Sequence, residues 1–81
     1  MPTILRKGPY RVYFFSHDAI EPPHVHVDRD EKSAKFWLVP VSLARNLGFS
    51  SVELRRIESL LRINQISLLE QLSDFFDAKS R

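Results

Sequence analysis

Two histidines occupy alternate positions in Pro22-Pro23-His24-Val25-His26-Val27-Asp28, directly after the chain's only Pro-Pro pair. Imidazole is an acid, a base and a metal ligand near neutral pH, so this pair is where chemistry would reside. In extended backbone, side chains two apart share a face. His24, His26 and Asp28 then line one surface while Val25 and Val27 turn to the core. The two prolines fix two φ angles and remove two backbone donors, which ends one element and aims the next.

Three readings of the histidines compete. As metal ligands, His24 and His26 would need Asp28 or His17 to complete the shell, because zinc usually takes three or four protein ligands. The chain has three histidines, no cysteine and no His-Glu-x-x-His pattern, so no cofactor is expected. As acid and base, the same two histidines would cleave a phosphodiester without metal, with Arg11 or Lys35 on neighbouring strands holding the phosphate. In the third reading they fix the loop and the strand, with Nδ1 bonded to backbone near Pro22 or Ser16. Ser16-His17-Asp18 has the residue types of a triad, but adjacency in sequence does not set a triad's geometry.

The surrounding elements follow from pattern. Tyr10 to Phe15 is aromatic and β-branched enough for a strand, entered through Gly8-Pro9 and closed by a polar loop from Ser16 to Pro23. The strand of residues 24–28 leads to the charged turn Arg29-Asp30-Glu31-Lys32, and Ala34 to Leu38 resumes as another strand. Pro40 then turns the chain into a short fourth strand around Val41 to Ala44. Ser50 with Glu53 has the form of a capping box, and Leu54, Ile57 and Leu61 follow at helical spacing. Asn64 and Gln65 interrupt the apolar stripe before it resumes at Leu68, Leu72 and Phe75 or Phe76, which predicts a second helix.

The expected fold class is therefore α+β, a single domain over residues 1–81. It comprises an antiparallel β-meander of three or four strands over about 8–45 and two C-terminal helices, about 51–63 and 65–77, packed on one face. With Val12, Phe14, Val25, Val27, Phe36 and Leu38 as core, the outer face receives Arg11, Tyr13, Phe15, His24, His26, Asp28, Lys35 and Trp37. These residue types are enriched at protein interfaces and also stack on unpaired bases.

From Met1 to Phe76 the chain resembles the small prokaryotic proteins grouped as the "domain of unknown function 4160" family. The resemblance rests on Met1-Pro2-Thr3 with Gly8-Pro9-Tyr10, on Glu21 to Val27, and on Ala34 to Leu38 with Pro40-Val41. It continues through Leu43-Ala44, Gly48-Phe49, Glu53-Leu54 and Leu68-Leu69-Glu70. The histidine motif carried over comprises Pro22, Pro23, His24 and His26. Such proteins are often encoded beside a second small protein, in a pair suspected of being a toxin–antitoxin module. In many relatives the last helix reads Leu-Leu-Glu-Ala-Trp, whereas this chain has Gln71 and Leu72 in the final two places.

Composition narrows the function classes. A chain of 81 residues with 43% hydrophobic content builds one modest core, for which association with a partner or with a second copy is a common support. The net charge of +2 without a basic run is weak footing for nucleic-acid binding on charge alone. No apolar stretch reaches membrane length and the N-terminus has no signal-peptide core, so a cytoplasmic protein is expected. The resemblance, with the aromatic and basic outer face, implies a toxin-like, partner-binding component of a two-gene module, its cognate small protein meeting the His-bearing face. The alternatives are a metal-independent ribonuclease using His24 and His26, and a non-catalytic nucleic-acid binder.

Overall fold

Tight two-residue hairpins govern this chain. The computed structural model describes residues 3–14 and 21–79. Five strands, β1 (Thr3–Lys7), β2 (Tyr10–Tyr13), β3 (His24–Arg29), β4 (Lys32–Leu38) and β5 (Val41–Leu47), form one antiparallel sheet in sequence order. Two helices follow, α1 (Ser51–Ile63) and α2 (Gln65–Lys79). The α+β meander with two C-terminal helices is thus the fold that the sequence predicts, with one more strand at its start.

The turn residues explain where the strands end. Gly8, at φ 56°, takes the first place of the Gly8-Pro9 loop, where a two-residue hairpin asks for positive φ. Asp30, at φ 53°, does the same between Arg29 and Lys32; Asp is one of the few residues with a side chain that tolerates it. Val39-Pro40, joined by a cis peptide bond, links Leu38 to Val41. β1 escaped the sequence pattern because its register shifts between Thr3 and Leu5, so Ile4 and Leu5 are adjacent instead of alternating. Both Ile4 and Leu5 nevertheless pack against the core.

The core lies between one sheet face and the helices. Val12, Phe14, Val25, Val27, Ala34, Phe36 and Leu38 meet Phe49, Ile57, Leu61, Leu68 and Leu72, all buried. Phe75 of α2 closes edge-on over Phe14, ring centroids 4.8 Å apart. Leu72 is a buried core residue, so its side chain packs between helix and sheet.

Two polar devices hold the helices to the sheet. Ser50 caps α1 by accepting from the Glu53 N–H at 3.2 Å, the first half of a capping box. The Glu53 carboxylate reaches the sheet, accepting from Arg29 Nη1 at 2.5 Å, Lys32 Nζ at 3.3 Å and the Tyr10 hydroxyl at 3.2 Å. At the helix junction Asn64 bonds the Leu60 carbonyl through its side chain at 2.8 Å and ends α1. The next residue, Gln65, donates to the Leu38 carbonyl at 2.5 Å and so pins the start of α2 to the end of β4.

The hydrogen bond from Arg29, with further help from Lys32, holds the Glu53 carboxyl below its ordinary value of 4.5. A depressed folded-state pKa adds stability that is present above the unfolded value and is lost as pH falls through the folded one. Stability should therefore fall as pH drops below 4.5, and Glu53→Gln should flatten that part of the profile while lowering stability at neutral pH. Denaturant unfolding at a series of pH values measures both; an unchanged acid limb in the variant would remove this role for Glu53.

Candidate binding face

The Pro-Pro turn sets the geometry of the site through its carbonyls, since prolines have no N–H to give. The Pro23 carbonyl accepts from the Leu38 N–H at 3.0 Å, which fastens the turn to the far end of β4. The Pro22 carbonyl lies 2.9 Å from His24 Nδ1. A carbonyl only accepts, so Nδ1 carries the proton in this contact. His24 is 2% exposed, its ring edge-on to Trp37 at 5.7 Å and to His26 at 5.3 Å. This is the geometry of a histidine that fixes the start of β3.

Alternation from His24 onward turns His26 and Asp28 to the face opposite the helices, and the strand register places partners beside them. Tyr13, His26, Lys35 and Arg45 are paired positions on four successive strands, forming one row across the sheet. Arg11, Asp28, Ser33 and Leu47 form the next row, and His24, Trp37 and Ser42 the one on the other side. Of the residues predicted for this face, Arg11, Tyr13, His24, His26, Asp28, Lys35 and Trp37 share it; Phe15, and the alternative metal ligand His17, lie outside the described residues.

Cations and rings interleave along the rows. The Arg11 guanidinium stands over Tyr13 and the Lys35 ammonium over Trp37, each 4.7 Å from the ring centroid. Tyr13 stacks on His26 at 5.4 Å and 23°. Its hydroxyl donates to Asp28 Oδ1 at 3.1 Å. Burial raises the Tyr13 phenol above its ordinary value of 10.0, and the Asp28 charge and hydrogen bond push it the same way. Lys35 Nζ also bridges to Glu21 at 2.5 Å.

Beside the central row a cavity of about 210 Å³ opens between β3, β4 and β5, lined by His26, Ser33, Ala34, Lys35, Arg45 and Leu47. Arg45, Ser33 and Leu47 were not among the residues that sequence pattern assigned to the face. Ser33 lies one residue before the predicted third strand. Arg45 lies one residue beyond the predicted fourth, and a register shift intervenes: Leu43 pairs with Phe36, and Arg45 with Lys35. The bulge at Ala44 turns Arg45 to the outer face, where strict alternation from Leu43 would have put it on the inner one. Among the described residues no group of three or more His, Asp or Glu side chains is placed to hold a metal ion.

The family model described as Domain of unknown function (DUF4160) matches residues 10–72, which span the sheet from β2 onward, the whole Pro-Pro-His-Val-His-Val motif and both helix starts. The chain belongs to this family. No curated protein and no solved structure matches the chain. Membership of DUF4160 carries no activity with it, so the face must be read from its own chemistry. No helix of the described residues is long and apolar enough to cross a membrane.

Asp28 is the removable cause of the Tyr13 shift. Asp28→Asn should lower the Tyr13 pKa toward 10.0 without bringing it all the way, since burial remains the larger cause. Titration of the Tyr13 ring resonances by NMR reads this; a pKa that does not move would show that the hydrogen bond to Asp28 is not made.

Proposed function

We propose that this DUF4160 protein is a binding protein, the toxin-like member of a two-component module of toxin–antitoxin type, and that it meets its cognate small protein through the outer sheet face. The observation that carries the reading is that both helices pack on the opposite face, so the apolar cluster between sheet and helices does not include the side where Arg11, Lys35 and Trp37 collect around the buried Tyr13. Arginine and aromatic side chains are the usual anchors of protein interfaces, and cations stacked on rings are preorganised for one.

The burial of His24 favours recognition over catalysis. A two-histidine cleavage of phosphodiesters needs both imidazoles at the substrate, one to take a proton and one to give it. His24 is enclosed with its Nδ1 on the Pro22 carbonyl, and only His26 lines the cavity.

The reading is tested by co-expressing the protein with the product of its neighbouring gene and capturing one through the other. Co-purification is expected, together with slowed growth when the protein is expressed alone. Trp37→Ala with Arg11→Glu should weaken capture by about tenfold or more, the usual scale for losing anchor residues. Capture that persists at parent strength in this double variant, or no capture by the parent, would overturn it. RNA cleavage lost on His26→Ala would establish the ribonuclease alternative.

A further inference from the structure

Lys35 and Arg45 are directly paired positions on adjacent strands, about 4.8 Å apart by ordinary strand spacing. Like charges so placed destabilise a sheet, and nothing in the core requires either residue. Lys35 is partly answered by Glu21, but among the described residues Arg45 makes no ion pair. Both line the cavity of about 210 Å³ together with His26, Ser33, Ala34 and Leu47, and among the described residues no carboxylate lines it. A local rule broken with only part of its cost answered among the described residues points to a ligand.

We propose that this cavity binds a phosphate monoester, with the phosphoryl group between Lys35, Arg45, Ser33 and His26. A carboxylate offers two oxygens, whereas a terminal phosphate offers three acceptor oxygens and about −1.5 to −2 charge at pH 7. That matches the Arg45 guanidinium and the Lys35 ammonium side by side on adjacent strands, with Ser33 and His26 lining the same cavity. The cavity exceeds the space of a few water molecules, each of which takes about 30 Å³ in the liquid, so it has room for the phosphate and the first part of the group that bears it. Leu47 gives that part an apolar contact. Glu21 is the anion the ligand must compete with, since it holds Lys35 at 2.5 Å from the rim. The site goes beyond the partner reading and stands without it, because a small ligand needs no second protein.

The purified full-length chain is titrated with a nucleoside 5′-monophosphate, with inorganic phosphate and with the unphosphorylated nucleoside, by calorimetry and by NMR shifts of the His26 ring. Saturable binding of the monophosphate is expected, weaker binding of inorganic phosphate, and none of the nucleoside. Arg45→Gln should weaken the monophosphate by about tenfold, the scale of one lost charge-assisted hydrogen bond. Glu21→Gln should tighten it, because it removes the competing carboxylate. Arg45 is exposed, so its variant folds, and far-UV circular dichroism verifies that. No saturable binding of the monophosphate, equal binding of the nucleoside, or an affinity that Arg45→Gln leaves unchanged would each overturn the site. Failure here leaves partner capture untouched, since that is measured without phosphate.

Discussion

The fold depends on one constraint: side chains of a strand alternate, and two-residue hairpins carry the parity of one strand to the next without slack. Gly8-Pro9, Asp30-Glu31 and Val39-Pro40 are such hairpins, so Val27, Ala34, Phe36 and Val41 are committed to one face together, and the pairing of Val12 with Val27 brings β2 onto it. A slip by one residue at any of them would expose a whole strand's apolar set. The helices then have a single apolar surface to cover, and Glu53 and Gln65 fix where they sit on it. The opposite face inherits whatever remains, which here is rings, cations and two histidines.

That inheritance separates two kinds of residue on the outer face. His24, Pro22 and Pro23 position β3: His24 Nδ1 meets the Pro22 carbonyl, and the Pro23 carbonyl accepts from the Leu38 N–H. Arg11, Lys35, Trp37 and Arg45 add little to the core, and Lys35 beside Arg45 works against the sheet. Proteins keep such pairs where a partner or ligand compensates them, and both readings offered for the face use that principle. His26 is the member common to both groups, stacked on Tyr13 and lining the cavity.

Much of this was legible in the chain. The alternation of His24 to Asp28 and of Phe36 to Leu38 gave the right faces because those strands are regular, and the helix break at Asn64 followed from polar residues interrupting an apolar stripe. What pattern could not supply came from irregularity and from distance. A register shift hid β1, and the bulge at Ala44 reversed the face of Arg45, so the cationic end of the central row was invisible to strict alternation. By spacing alone the carboxylate of Glu53 belongs to a local cap, whereas Arg29, Lys32 and Tyr10, distant in sequence, draw it to the sheet.

The central claim is that the cationic row serves recognition at some expense to the fold. Its most direct measurement is the unfolding free energy of Arg45→Gln in denaturant, without added phosphate or partner. Removing a like charge opposite Lys35 should leave the protein as stable as the parent or more stable, by up to about 1 kcal/mol. A loss of more than about 0.5 kcal/mol, beyond the usual range for a surface substitution, would mean that Arg45 holds the sheet together, and would contradict the account.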